Sequence, residues 1–156
     1  MYNHEPKNYE CPLCLIINGK DNPDNFAKAS DIFYKDNLIT AFVGGKWWPS
    51  NKGGTVIIPN KHFENLYDIG NEYGHKIFDF SKKLASALRE VYKCDGVSTR
   101  QHNELAGNQD VWHYHLHVIP RYIDDRLYQS HDNKYWVTVE QRKPYVDKLK
   151  KYFKNL

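Results

Sequence analysis

At 156 residues, 40% apolar and 26% charged, the chain has an ordinary globular composition that excludes disorder. A net charge of +3 suits an anionic ligand but is far too small to point to nucleic acid. No apolar run approaches the ~18 residues of a membrane span, and the length suits one domain with a core that needs no disulfide staples.

The opening stretch MYNHEPKNYE is polar, which predicts a flexible segment over residues 1–10 and no signal peptide. Three cysteines, an odd number, fit a reducing compartment better than a disulfide framework, so a cytoplasmic location is expected. CPLCLIINGK follows, with Cys11 and Cys14 in a Cys-x-x-Cys that enters a short apolar run. GKDNPDNFAKASD is turn-rich, broken by Gly19 and Pro23. IFYKDNLITAFV, residues 32–43, predicts a β-hairpin turning at Lys35, Asp36 and Asn37. GGKWWPSNKGG reads as loop and TVIIP as a buried strand stopped by proline. From residue 65 to about 92, Leu66, Ile69, Tyr73, Ile77, Phe80, Leu84, Leu88 and Val91 recur at helical spacing. Gly70 and Gly74 are expected to weaken the first turns of that helix. GVSTRQHN and VWHYHLHVIPR read as two further strands around the loop ELAGNQD. YIDDRLYQSHDNKYWVTV reads as a polar loop and then a strand. In the tail, Val146, Leu149, Phe153 and Leu156 share one face of a basic amphipathic helix. This order predicts an α+β domain on a mainly antiparallel sheet, with one long central helix and a C-terminal helix.

The chemistry concentrates in WHYHLHV. In an extended chain His113, His115 and His117 point to one face, and Tyr114, Leu116 and Val118 to the other. Three readings stay open from the residues alone. The histidines can be incidental to a half-exposed strand. They can hold a metal, although a third ligand from one strand must come round the ion from another direction. They can also serve nucleophilic catalysis, since neutral imidazole attacks phosphorus and forms a labile phosphoramidate.

HYHLHVI fits a His-φ-His-φ-His-φ-φ pattern, where φ is apolar, and the chain resembles the histidine-triad (HIT) superfamily of nucleotidyl hydrolases and transferases. The resemblance covers roughly residues 10–121. TVIIPNKHFENL looks like that family's strand followed by Pro-x-x-His, and HNELAGNQDVWH like its Asn, glycine loop and Gln before the triad. It implies a HIT-like fold over residues 1–156, with residues 122–156 a variable extension.

Further roles follow from the resemblance. His115 would attack the α-phosphorus of a purine nucleotide, either a nucleoside phosphoramidate or a dinucleoside polyphosphate, and carry the nucleotidyl group. His117 would donate to the phosphate oxygens, and Asn103, Gln109 and Asp110 would lie at the phosphate site. Asp110 stands where many members have Ser or Thr. Cys11 and Cys14 would join His62 and His113 around a structural zinc, in place of the redox pair that a Cys-x-x-Cys otherwise suggests. A homodimer is implied as well.

The chain also departs from the pattern. Gly54 stands where many members carry a histidine, and no acid matches the ribose-binding aspartate. These gaps suggest the alternative of a nucleotide-binding protein with weak or lost catalysis. Trp47 and Trp48 can stack on a base or pack at a subunit contact. Arg121 can neutralise distal phosphates or lie on the surface, and His131 can reach the leaving-group side.

Overall fold

The computed structural model describes residues 3–20, 22 and 26–155, with the backbone alone at residue 131. Five strands form an antiparallel sheet in the order β1-β2-β4-β6-β5. They are β1 (Ile32–Lys35), β2 (Ile39–Val43), β4 (Thr55–Pro59), β5 (Gly96–Gln101) and β6 (Leu116–Arg121). A separate two-stranded ribbon pairs β3 (Lys46–Trp47) with β7 (Tyr135–Trp136). Three helices complete the α+β arrangement: α1 (Pro12–Ile17), α2 (Asn71–Tyr92) and α3 (Val139–Lys154).

Strands β2 and β4 are buried along their whole length, so both faces of the sheet are covered. On one face Ala41, Val43, Ile57 and Val118 pack under Ile77, Phe80, Leu84 and Leu88 of α2 and Val146 and Leu149 of α3. On the other, Phe42, Val56 and Ile58 meet Leu13, Ile16 and Ile17 of α1 and Val111. The cross-strand neighbours Phe42, Val56 and His117 lie in register on that second face, so this side of the sheet becomes the floor of the site.

Several element boundaries differ from the sequence reading. The hairpin turn lies one residue later, at 36–38, because the Asp36 carboxylate accepts from the amides of Leu38 and Ile39 and closes an Asx turn. Helix α2 starts at Asn71, with Gly70 as its N-cap in extended geometry, so residues 65–69 lie outside it. Strand β6 begins only at Leu116, and residues 111–115 are irregular. Their alternation survives nonetheless, with Tyr114 in the helix-side core and His113 and His115 on the other side. Thr138 and Gln141 form a capping box that starts α3 at Val139, so only Tyr135 and Trp136 are strand. Of the expected helix face, Val146 and Leu149 are buried and Phe153 packs on the core. Leu156, like Pro23 in the predicted turn, lies outside the described residues.

Residues 4–9, read from composition as flexible, are anchored. The amides of His4 and Glu5 donate to the Glu64 carboxylate at 2.6 and 3.2 Å, the His4 ring stacks on Trp112, and the Tyr9 hydroxyl accepts from the Trp112 amide.

Candidate functional site

A cavity of about 520 Å³ opens over the second face of the sheet. His115 and His117 line it, together with His102, Gln109, Asp110 and Lys134. The His115 and His117 rings meet edge to face, with centroids 5.1 Å apart.

Only 5% of His115 is exposed, and its Nδ1 lies 2.8 Å from the His113 carbonyl oxygen. A carbonyl only accepts, so Nδ1 carries the proton and Nε2 keeps a lone pair. Burial lowers the pKa of His115 below the ordinary histidine value, against the upward pull of the His113 carbonyl and Asp110. Burial lowers that of His117 further, helped by the neighbouring His115 and by Lys134. Both rings are therefore neutral at pH 7.

The other expected phosphate-site residues divide. Asp110 is nearly fully exposed and places Oδ1 3.8 Å from Nε2 of His115. Gln109 borders the cavity, but its amide shapes the loop: Nε2 donates to the carbonyls of Glu64 and Val111, and Oε1 accepts from the Glu104 amide. Asn103 is not among the cavity residues. Its Oδ1 accepts from the Leu66 amide at 2.8 Å and its Nδ2 donates to Gln101, so it ties the turn before α2 to the end of β5.

Arg121 pairs with Asp125 through two hydrogen bonds of 2.7 and 2.8 Å and donates to Ser98, so it is held in the fold, and it is not among the cavity residues. Trp47 is a core residue that donates to the Gly44 carbonyl. Trp48 is buried at the cavity, beneath two cations described below. Both indoles are buried, although the sequence reads their stretch as loop. The side chain of His131 lies outside the described residues.

Beside the cavity, Cys11, Cys14, His62 and His113 bring one donor atom each within 4.8 Å of one another. Cys11 is the N-cap of α1, and its sulfur accepts from the Cys14 amide, so the helix start brings both thiols together. Nδ1 of His113 lies 3.4 Å from the Cys11 sulfur and 3.5 Å from that of Cys14, while Nδ1 of His62 lies 3.3 Å from the latter. Tetrahedral zinc with bonds of about 2.0–2.3 Å separates neighbouring donors by about 3.5 Å, so this spacing fits.

The far nitrogens fit too. Nε2 of His113 donates to the Pro59 carbonyl at 3.0 Å, and Nε2 of His62 lies 3.0 Å from the Glu5 carboxylate. Such outer contacts leave both Nδ1 lone pairs aimed at the thiols, as metal-binding histidines require.

Sequence reasoning missed Glu5 and the Pro59 carbonyl in this outer role. It also missed Lys134, which the β3–β7 ribbon carries over the cavity. One local signal existed: His102, next to Asn103, donates through Nδ1 to the Asn108 carbonyl and faces His117 with ring centroids 6.4 Å apart.

Comparison with known proteins agrees with this geometry. The sequence profile of the HIT domain family matches residues 25–124. "Protein hit" of Bacillus subtilis is 37% identical over 112 residues, spanning 72% of this chain and 71% of that protein. An adenosine 5'-monophosphoramidase of Saccharomyces cerevisiae is 34% identical over 73 residues, 47% of this chain and 44% of that one. The crystal structure of a zinc-bound histidine triad family protein from Mycobacterium smegmatis superimposes with a TM-score of 0.73 at 25% identity, covering 94% of each chain.

Proposed function

The chain belongs to the HIT domain family, and on that premise we propose that it is a nucleotidyl hydrolase or transferase working through a covalent His115 intermediate. The observation that carries this reading is the His115 tautomer. Its Nδ1–H is spent on the His113 carbonyl, so the free Nε2 lone pair borders the cavity beside His117.

In the first step Nε2 of His115 forms a bond to the α-phosphorus of a purine nucleotide. The bond from that phosphorus to the leaving nitrogen or bridging oxygen breaks, and the electron pair departs with the leaving group. Water then attacks the same phosphorus, the P–N bond breaks, and the imidazole recovers its lone pair as nucleoside monophosphate leaves. In the 107–111 loop the amides of Gly107, Asn108 and Gln109 are spent on the carbonyls of Glu104 and Leu105. His117 and the amides of Asp110 and Val111 supply fixed donors to the phosphoryl oxygens, so little reorganisation accompanies the charge that develops there. Gln109 acts indirectly by holding that loop in shape.

Cys11, Cys14, His62 and His113 would hold zinc as a closed four-ligand site, and the chemistry it supplies is a structural cross-link. Those ligands join α1 to residue 113, two positions before the nucleophile. The homodimer and the cytoplasmic location implied by the sequence belong to this same reading.

Mass spectrometry after brief mixing with adenosine phosphoramidate or a diadenosine polyphosphate tests the proposal. A nucleotidyl adduct is expected on the wild-type chain and not on His115→Ala, and metal analysis is expected to give one zinc per chain. Background hydrolysis across a nucleotide panel, with adenosine monophosphate still binding in calorimetry, would favour a second reading, a nucleotide-binding protein without turnover. Gly54 and the Asp110 carboxylate beside Nε2 are the features that support that alternative.

A further inference from the structure

Lys46 and Lys134 line the cavity, and the catalytic reading above uses neither. Arg100 on β5 pairs in register with His117 on β6, so its side chain leaves the same face of the sheet as the histidine. Its guanidinium lies 5.6 Å from the centre of the Trp48 ring, and the Lys134 ammonium lies 4.3 Å from the same ring. Trp48 thus fixes both charges by cation–π attraction on a buried indole. Lys46, also on the cavity, is held over Trp136 in the facing ribbon strand. Lys46 and Lys134 on the cavity stand against the carboxylates of Asp110 and Asp132, so the lining itself is balanced. Arg100, beside His117 but outside the lining, tips the charge around the histidines to positive.

Holding an ammonium half out of water beside a guanidinium is unfavourable by itself, and burial indeed lowers the Lys134 pKa, with Arg100 adding to the effect. An anion bound there would offset that cost. On the catalytic reading the α-phosphate belongs to the histidines, so this anion is a different group of the substrate.

We propose that Lys134 and Arg100 form a subsite for an anionic leaving group, so that the protein acts preferentially on nucleotides whose α-phosphate carries further phosphates rather than an amine. The inference rests on the catalytic reading above and narrows its substrate class. The two leaving groups differ in sign. A departing amine gains a proton and becomes neutral or cationic, which neighbouring cations disfavour. A departing nucleoside polyphosphate keeps the electron pair of the broken P–O bond on its bridging oxygen, and Lys134 and Arg100 neutralise that charge as it develops. Arg100 lies within the 25–124 region that the family profile matches, whereas Lys134 lies beyond it, in the chain's C-terminal extension. Lys134 is a specificity-determining residue, and the indole beneath it positions it.

The test measures kcat/KM for diadenosine tetraphosphate and for adenosine phosphoramidate on wild type, Lys134→Gln and Lys134→Arg. A lost charge-assisted hydrogen bond is worth about 1.5–3 kcal/mol, so Lys134→Gln is expected to lower the polyphosphate-to-phosphoramidate ratio by about 10-fold or more. Lys134→Arg, which keeps the charge, is expected to hold the ratio within about 3-fold by the same reasoning. An unchanged ratio in Lys134→Gln, whether both activities fall together or neither moves, would overturn the inference. Binding separates this failure from failure of the catalytic reading. If neither substrate turns over, calorimetry on the wild type must still show adenosine diphosphate binding more tightly than adenosine monophosphate, with Lys134→Gln abolishing the difference. Equal affinities in the wild type would overturn the subsite.

Discussion

Replacing Gly53 by alanine is expected to destabilise the fold, whereas the same change at Gly54 is expected to be nearly silent. Gly53 has a φ of +79°, which an L side chain adopts only at a cost of about 1–2 kcal/mol. A Cβ there would overlap the edge of the Tyr145 ring and come within 2.9 Å of Tyr92 Cε2. Tyr145 cannot easily yield, because it packs edge-on against both Trp47 and Tyr92, with centroids 4.9 and 5.1 Å away. Overpacking of this kind costs about 1–3 kcal/mol, so the total is about 2–5 kcal/mol. For a chain of this size that lowers the melting temperature by about 4–20 °C. A Cβ at Gly54 meets nothing within 4 Å and points into open space at the cavity, so Gly54→Ala is expected to stay within about 0.5 kcal/mol of wild type. Thermal denaturation followed by circular dichroism measures both. A wild-type melting temperature for Gly53→Ala, or equal losses for the two variants, would refute the packing argument.

Three further outcomes are expected. Arg142→Met leaves the Asp31 carboxylate, 1% exposed and 2.9 Å from the guanidinium, buried without its partner. It should cost about 3–5 kcal/mol in urea denaturation, and Asp31→Asn in the same chain should recover most of the loss. Burial pushes the Asp36 carboxyl up, but Lys76 and the amides of Ile39 and Leu38 outweigh it and bring the pKa from 3.8 to about 2. The folded pKa is depressed, so the stabilisation is complete above the unfolded value near 4 and disappears as pH falls through about 2. Asp36→Asn should flatten the stability profile between those limits. Asp110 carries a negative charge 3.8 Å from the nitrogen that would meet phosphate. With exposed charges interacting by about 1 kcal/mol at that distance, Asp110→Asn should bind adenosine monophosphate about 5-fold more tightly in calorimetry.

Much of the frame was legible locally. Alternation in HYHLHV separated a chemical side from a core side, and the structure keeps that separation even though the strand begins only at Leu116. The apolar spacing of α2 marked its buried face, while its first turn yielded to Gly70 as N-cap. The Cys-x-x-Cys and the two histidines that the family resemblance assigned to one metal do meet. Asn103 and Arg121 were less legible. Both are polar residues at a motif's edge, and such residues serve the fold as readily as a ligand when a backbone amide or a carboxylate lies within reach.

The sequence by itself determined which residue types share a side of a strand or helix, because side-chain direction follows backbone periods of two and 3.6 residues. It thereby specified the pairing of an apolar back with a histidine front. Only the tertiary structure decided what faces that front. Lys134 reaches Trp48 across 86 positions, Glu5 reaches His62 across 57, and Arg142 reaches Asp31 across 111. Such contacts depend on where the chain returns after the sheet has formed. That path is set by packing the whole core together, and no local period encodes it.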